Sequence, residues 1–202
     1  AWGIKKIILV FCDDFLHTIY TLPWYQHGCN SRQNSVGAKL HAAIQPILDV
    51  LQIEQNQMVR CLLAALPPGV TIPIHHDTGE WVKYTHRVHV PIIVPDPSKV
   101  LFRCGPTETS MDRIDCTPGH IFEMNNQAKH AVTNGGTEFR VHLILDYVDP
   151  SFFKRRADQN CPVRRVNLSA GEIITQTRRS IDRAKEAGSL PQPSFLILGA
   201  QK

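Results

Sequence analysis

Three side chains of the kind that bind metal ions lie in two strand-like segments of the chain. One residue, His76, separates His75 from Asp77, and His130 lies in the second segment. Two imidazoles and one carboxylate form the facial triad of non-haem Fe(II) oxygenases, which leaves coordination positions open for a co-substrate and O₂. Residues i and i+2 of a strand point to one face, so we expect His75 and Asp77 to reach one ion while His76 points away. The sequence therefore predicts an Fe(II) site with His75, Asp77 and His130 as its catalytic ligands.

A cationic side chain follows the second histidine of this pattern. Arg140 stands ten residues after His130, across Asn134-Gly135-Gly136, which is typical of a turn between two strands. Many oxygenases of this type bind 2-oxoglutarate on the iron, and its far carboxylate needs a cationic partner inside the barrel. A planar guanidinium meets a carboxylate with two parallel hydrogen bonds. We therefore expect Fe(II) as cofactor, with 2-oxoglutarate and O₂ as co-substrates.

Each of these residues also has an ordinary structural interpretation. The chain contains 10 histidines, and a single histidine is more often a surface or core residue than a ligand. A metal-binding cupin enzyme without 2-oxoglutarate would not need an inward-pointing arginine, and a non-catalytic β-barrel binding protein would tolerate loss of the triad. Nucleic-acid demethylases share the histidine and aspartate spacing but usually carry a second arginine where this chain has Asp146. The pattern alone leaves all three alternatives open, and Asp146 disfavours the demethylase.

The elements that must position these residues are short strands. Turn residues such as Pro67-Pro68-Gly69 and Thr117-Pro118-Gly119 separate them. Many short strands with regular turns are typical of a jelly roll or barrel, and a double-stranded β-helix of this cupin-like kind gathers ligands at its open mouth. The predicted strands cover residues 58–66, 70–77, 84–94, 99–104, 111–116, 119–124, 128–133 and 138–148.

Alternation along two of these strands selects further candidates for the interior. Arg87 and His89 share one face of the segment 84–94, and this face is equally compatible with the interior and with a polar outer surface. In the last strand, His142 and Asp146 share the face of Arg140, which we expect to point inward.

Flanking α-helices are expected on both sides of this mainly β core. Ile4–Cys12 is typical of a buried strand, and apolar spacing predicts a helix over Val36–Ile53 that Pro46 interrupts or divides. After the core, Phe152–Arg165 is basic and is expected to be irregular. Ser169–Glu172 is a capping box that begins a helix ended by Gly188, and a strand can follow at Phe195–Leu198.

These elements together predict one domain over the whole chain, 1–202. Its β-helix core covers about 58–148, an N-terminal strand and helix lie within 1–57, and a C-terminal helical extension occupies 151–202. The length is sufficient for a single substantial core.

Composition and charge narrow the class of partner. The chain is 43% hydrophobic and 20% charged with a net charge of +4, and it lacks a dense Lys/Arg run. We therefore expect a small-molecule or peptide substrate and no nucleic acid. No apolar stretch approaches the roughly 18 residues of a membrane span, so we expect a soluble domain, with the cytoplasm as the favoured compartment. The pattern does not specify the oligomeric state.

The six cysteines form no C-x-x-C pair, which disfavours a structural zinc site. Cys104 and Cys116 flank a predicted hairpin and are close enough in sequence to pair across it. We expect free buried thiols instead.

Five motifs together resemble one family. Pro68-Gly69, I-P-x-H-x-D at 72–77, H-R-V-H-V-P at 86–91, N-N-x-x-x-H-x-V-x-N at 125–134 and F-R-V-H-L-I-L-D at 139–146 resemble the aspartyl/asparaginyl β-hydroxylase family of Fe(II)/2-oxoglutarate oxygenases. The likeness covers about 58–148. It implies a double-stranded β-helix, iron ligation by His75 and His130, 2-oxoglutarate binding at Arg140, and Arg87 and His89 facing the co-substrate. It also implies hydroxylation of an aliphatic C–H in an amino acid or peptidyl side chain of the Asp/Asn kind.

Two departures from the animal members of that family concern the site. Those enzymes lack the triad carboxylate, whereas this chain has Asp77, so it is more similar to microbial members. Ala64 stands where the animal enzymes carry a serine that helps to hold 2-oxoglutarate. Because loss of the carboxylate would open a coordination position for halide, the presence of Asp77 favours hydroxylation over halogenation.

Overall fold

The computed structural model of the chain describes residues 3–23, 25 and 36–169, together with the backbone of 195–197. Within these residues, the α-helices are α1, Val36–Leu51, and α2, Ser151–Asp158. The strands are β1 Lys5–Cys12, β2 Thr18–Thr21, β3 Met58–Leu66, β4 Thr71–His75, β5 His86–Ile93, β6 Val100–Thr107, β7 Ser110–Ile114, β8 Phe122–Met124, β9 Lys129–Asn134, β10 Arg140–Tyr147, β11 Arg164–Asn167 and β12 Phe195–Ile197.

The strands form two sheets with side chains of both packed between them. The large sheet has the order β11-β2-β1-β3-β10-β5-β8-β12, and the small sheet has the order β4-β9-β6-β7. Phe102 and Val132 of the small sheet share a buried cluster with Leu66, Phe122 and Met124 of the large one. This arrangement confirms the predicted mainly β jelly roll, a double-stranded β-helix with flanking helices.

The outer face of the large sheet is covered by α1. Leu143 and Leu145 alternate along β10 with the inward-facing residues, and they share a second buried cluster with Ile44 and Leu48 of the helix. Burying an aliphatic side chain of this size contributes about 1.5–3 kcal/mol to stability. Both faces of the central strands are therefore buried, one against the helix and one inside the β-helix.

Two local predictions were wrong. Pro46 does not divide the first helix, because α1 runs without interruption from Val36 to Leu51 and packs Ile44 and Leu48 into the core on both sides of the proline. The segment Phe152–Arg165 is not irregular either. Buried Phe152 anchors α2, and Arg164–Asn167 adds β11 to the large sheet, parallel to β2.

Other predictions for the flanks have mixed outcomes. The N-terminal strand is confirmed as β1, and the final strand is confirmed as β12 at Phe195–Ile197. The helix predicted from Ser169 to Gly188 lies outside the described residues, and the extent of a single domain over 1–202 stays a prediction. Within the described ranges, no helix combines the length and the apolar character that crossing a membrane requires.

The cysteines of the core are free thiols. Cys104 and Cys116 are both buried and unbridged, as expected from the sequence. Burial raises the pKa of each thiol to about 11, so both stay protonated near neutral pH.

Candidate metal centre

A cavity of about 160 Å³ lies between the two sheets, and all six predicted site residues line it. Two wider surface grooves, of about 410 and 500 Å³, contain none of the six. The lining of the inner cavity comprises Ile4, Lys6, Ala64, Leu66, Ile72, His75, Asp77, Arg87, His89, Phe102, His130, Val132, Arg140 and Ile144.

The predicted triad converges at one end of this cavity. His75 at the end of β4 is the register partner of His130 in β9, and their ring centroids are 4.2 Å apart. Asp77 lies beyond the end of β4, where its backbone N–H donates to the Asn126 carbonyl at 2.9 Å. Its Oδ1 is 4.0 Å from the Nε2 atom of each histidine. In the part of the chain that the structure describes, this is the one group of three His, Cys, Asp or Glu side chains whose ligand atoms lie within 4.8 Å of one another.

Backbone carbonyls orient both imidazoles toward a metal. The Nδ1 atom of His75 lies 2.8 Å from the Pro73 carbonyl, and that of His130 lies 2.9 Å from the Ala128 carbonyl. A carbonyl only accepts, so each Nδ1 donates to it, and Nε2 is the nitrogen that each ring has left for a metal. Burial, offset in part by Asp77, lowers the pKa of His130 to about 4, so this imidazole is neutral at pH 7 and ready to bind a cation.

The third candidate ligand, Asp77, is held by a buried arginine. Arg87 donates from Nε and Nη2 to the two oxygens of Asp146, at 2.7 and 2.9 Å, and from Nη1 to Asp77 Oδ2. Burial acts to raise the pKa of Asp77, but Arg87, followed by His130 and His75, lowers it by more in total. Asp77 is therefore ionised at neutral pH, as metal ligation requires.

Arg140 lies in the same cavity with its side chain 4% exposed. Its Nη2 is 2.7 Å from His142 Nδ1, and its guanidinium lies over the Phe102 ring at 5.6 Å. Burial lowers the pKa of Arg140 to about 10, and the nearby Cys116 thiol only partly offsets this effect. Among the residues with described side chains, no carboxylate pairs with Arg140.

Three buried nitrogens around this arginine have no hydrogen-bond partner within the described residues. They are Nε of Arg140, Nε2 of His142 and Nδ1 of His89. Leaving such groups unpaired costs free energy, so their concentration around a guanidinium that lines the cavity fits a polar ligand that supplies acceptors. A carboxylate suits the guanidinium in both charge and shape.

His89 points into the same cavity as Arg87. Its ring stacks on Phe122 with centroids 5.2 Å apart and planes at 3°. Burial, together with the charges of Arg87 and Arg140, lowers the pKa of His89 well below its ordinary value. The face that the sequence left ambiguous is thus the inner one.

Sequence reasoning gave no role to Asp146 and His142 and did not consider Lys6. Alternation along β10 placed Asp146 and His142 on the same face as Arg140, so their inward orientation could be predicted from the sequence. Lys6 follows Lys5 at the start of a strand whose other residues are apolar, and only the assembled barrel places Lys6 in the cavity lining.

The buried histidines predict how the metal-free protein responds to acid. Burial, followed by the charge of Arg140, lowers the pKa of His142 well below its ordinary 6.5, so the unfolded chain binds a proton that the folded chain rejects. The free energy of unfolding contributed by this group is complete above pH 6.5 and is lost as the pH falls below it, by up to about 1.4 kcal/mol per pH unit. Urea unfolding between pH 7 and 5 should give a shallower pH dependence for His142→Gln than for the wild type, and equal slopes would contradict this assignment.

Comparisons with known proteins agree with this fold. An oxidoreductase of the 2OG-Fe(II) oxygenase family from Burkholderia pseudomallei superposes with a TM-score of 0.51 at 11% identity, covering 72% of this chain and 67% of that one. Two further structures align less closely. The Cnp3 cupin domain of Schizosaccharomyces pombe has a TM-score of 0.36 at 16% identity, covering 51% of this chain and 61% of that one. The 7S globulin of Momordica charantia has a TM-score of 0.35 at 12% identity, covering 44% of this chain and 23% of that one. The chain thus spans about a quarter of the globulin.

Sequence comparison is more specific than these superpositions. No curated protein sequence matches the chain significantly. The model of the family described as aspartyl/asparaginyl beta-hydroxylase matches residues 18–150, a range that contains all six candidate site residues. This match extends over more than half of the chain, which therefore belongs to the aspartyl/asparaginyl β-hydroxylase family.

Proposed function

We propose that this protein is an Fe(II)- and 2-oxoglutarate-dependent oxygenase that hydroxylates an aliphatic C–H of an amino acid or peptidyl side chain of the Asp/Asn kind. The observation that carries the proposal is the pairing of two features in one cavity. A buried guanidinium without a carboxylate partner among the described residues lies in the cavity that holds a triad of two imidazoles and one carboxylate.

The triad fits iron by the chemistry of its donors. Two neutral imidazoles and an ionised carboxylate with open positions are typical of non-haem Fe(II) sites. His75, Asp77 and His130 would hold the ion through Nε2, Oδ1 and Nε2, since the other polar atom of each side chain already has a protein partner. These second partners fix the orientation of the ligands.

Arg140 is the residue that we assign to the far carboxylate of 2-oxoglutarate. Arg140, with its unpaired Nε, and Phe102 line one part of the cavity, and His142, with its unpaired Nε2, contacts Arg140 from behind this lining. Leu66, Ile144 and Val132 supply the apolar remainder and exclude water from the charged contacts, which strengthens them. Ala64 contributes only a methyl group where animal relatives carry a serine, so Arg140 and the histidines must supply the polar contacts.

Bound iron and 2-oxoglutarate would supply the oxidising chemistry, in which O₂ oxidises the co-substrate to succinate and CO₂ and hydroxylates a substrate C–H. The protein residues do no covalent chemistry in this scheme. They hold the ligands in one geometry, orient the co-substrate and keep the cavity dry.

Lys6 gives an indication of the substrate. It lies on β1 in the lining of the cavity, and its register partner in β3 is Ala64. With Arg140 assigned to the co-substrate and Arg87 bound to two carboxylates, Lys6 is the cation of the lining that suits a substrate carboxylate. A screen of free amino acids and short peptides for substrate-dependent succinate formation tests this point. Acidic side chains should stimulate succinate formation more than their amide and alkyl counterparts do.

The alternative functions explain fewer of the residues that line the cavity. A cupin enzyme without 2-oxoglutarate has no use for Arg140 in this position, and a non-catalytic barrel has no use for the convergent triad. Nucleic-acid demethylases usually carry a second arginine six residues after the first. This chain has Asp146 there, and Asp146 accepts two hydrogen bonds from Arg87.

Removing the triad carboxylate should weaken metal binding without unfolding the protein. Asp77→Ala deletes one ligand and leaves the Arg87 charge beside the site, so we expect the dissociation constant for Fe(II) to rise about 10–100-fold or more. Chloride can then occupy the opened position, so trace halogenation is expected in its presence. Anaerobic Fe(II) titration measures the change, with Asp112→Ala on the exposed face of β7 as a control. An unchanged iron affinity would remove Asp77 from the ligand set.

A further inference from the structure

Arg87 differs from Arg140 in how its charge is balanced. Arg87 and Asp146 are register partners in β5 and β10, and Asp146 is 0% exposed. Two of the guanidinium nitrogens bond to the two oxygens of Asp146, and the third bonds to Asp77. Two carboxylates thus surround one cation, so Arg87 has no charge left for a further anion.

The contact with Asp77 selects one of its two carboxylate oxygens. Oδ2 accepts from Arg87 Nη1, whereas Oδ1 lies 4.0 Å from the Nε2 atoms of both histidines. A carboxylate that keeps one oxygen bonded to the protein offers a metal only the other. A carboxylate without that bond can turn both oxygens to the ion and occupy an additional coordination position.

We propose that Arg87, anchored by Asp146, is a positioning residue that makes Asp77 a one-oxygen ligand and so keeps coordination positions free for the co-substrate. This inference rests on the proposed metal site. It assigns Arg87 a different role from the one implied by the family resemblance, in which Arg87 faces the co-substrate. Asp146 becomes part of the same arrangement, because it fixes the plane of the guanidinium from the opposite side.

The packing around Arg87 supports a rigid placement. Its guanidinium lies 5.4 Å from the centroid of the buried Trp81 ring, and Arg60 on β3, on the other side of β10, lies 4.2 Å from the same ring. Both arginines contact the same indole ring, and the hydrogen bonds to Asp77 and Asp146 come from Arg87. Arg60 is therefore a matched control with a similar environment and without this contact.

The test uses charge-conserving variants. Arg87→Lys keeps the positive charge but loses the planar fork that spans two carboxylates. We expect its Fe(II) dissociation constant to rise about 10–100-fold, the usual effect of losing a residue that orients a metal ligand. The absorption spectrum of the Co(II)-loaded protein should also change, because Asp77 is then free to bind through both oxygens. Arg60→Lys should leave both measurements close to those of the wild type.

A double-mutant cycle separates positioning from general stabilisation. In the Asp77→Ala background, Arg87→Lys should no longer change the Fe(II) affinity, because the residue that it positions is absent. Additive effects would show that Arg87 acts independently of Asp77 and would overturn the proposal. A lower unfolding temperature of Arg87→Lys with an unchanged Fe(II) affinity and Co(II) spectrum would overturn it as well.

The same titrations distinguish this inference from the proposed function. If the wild type binds neither Fe(II) nor 2-oxoglutarate, the proposed function itself fails. If the wild type binds both, and Arg87→Lys weakens only 2-oxoglutarate, then Arg87 contacts the co-substrate directly and only the positioning role is lost.

Discussion

Arg140→Ala should raise the dissociation constant for 2-oxoglutarate by roughly 30- to several-thousand-fold. A buried guanidinium that faces a dianion makes charge-assisted hydrogen bonds, and removal of one partner of such a pair costs roughly 2–5 kcal/mol. About 1.4 kcal/mol corresponds to a tenfold change in affinity. Arg140 has no carboxylate partner among the described residues, so its charge is available for the co-substrate. Titration of the Fe(II)-loaded protein with 2-oxoglutarate under anaerobic conditions measures the change.

Two comparisons make this result specific. Arg140→Lys should lose less affinity, because the charge survives while the bidentate fork does not. Fe(II) binding should barely change in either variant, since Arg140 is not a ligand. Arg113 on β7, which donates to the backbone carbonyls of Pro97, Ser98 and Val100, provides a control as Arg113→Ala. Equal 2-oxoglutarate affinity in the wild type and both Arg140 variants would favour a metal-binding cupin without co-substrate.

His75→Ala and His130→Ala should each abolish iron binding and turnover while the fold persists. Each variant removes one nitrogen donor from the proposed three-residue ligand set, whereas the stability of the β-helix comes from the buried clusters around the large sheet. His76→Ala provides the matched control, because His76 adjoins the ligands in sequence but is not part of the triad. Metal analysis after gel filtration, with circular dichroism to verify folding, gives the readout.

The outcomes for these three variants separate ligands from neighbours. Wild-type iron content in either His75→Ala or His130→Ala would exclude that histidine from the site. Loss of iron in His76→Ala at unchanged folding would show that the wrong member of the His75-His76 pair had been assigned.

Alternation along a strand explains why much of the site could be predicted. Arg140, His142 and Asp146 are an even number of positions apart in one segment, and side chains at such positions of a strand lie on the same face. The structure places all three inside the β-helix, where they contact one another or Arg87. The predicted interior of β10 is therefore correct.

The same reasoning could not decide the face of β5. Arg87 and His89 alternate with Val88 and Val90. Valines are usually buried in a core, so the pattern could equally place the valines inside and the polar pair outside. The large sheet is buried on both faces, with α1 covering the valines and the cavity receiving the polar pair. A pattern of alternation does not reveal which of two buried faces holds a polar cavity, so this assignment depended on the family resemblance.

The position of Asp77 has a different cause from the one that the sequence indicated. Strand alternation was expected to bring it beside His75, but β4 ends at His75. A backbone hydrogen bond from Asp77 to Asn126 and the contact with Arg87 hold it instead. Both contacts are distant in sequence, and local patterns carry no information about them.

Tertiary packing also accounts for the errors outside the site. The basic character of 152–165 suggested an irregular segment, yet buried Phe152 is sufficient to anchor α2, and pairing with β2 creates β11. Pro46 was expected to break a helix whose apolar residues in fact pack against the sheet on both sides of it.

The most direct test of the proposed function is an anaerobic titration of the wild-type protein, with Fe(II) first and 2-oxoglutarate second. Chelation of a triad-bound Fe(II) by a 2-oxo acid produces a weak charge-transfer band in the visible spectrum. We expect no band with Fe(II) alone and a saturable band on addition of one equivalent of 2-oxoglutarate, which His130→Ala abolishes. A protein that binds Fe(II) but gives no band at any 2-oxoglutarate concentration would contradict the assignment of this cavity to an Fe(II)/2-oxoglutarate oxygenase.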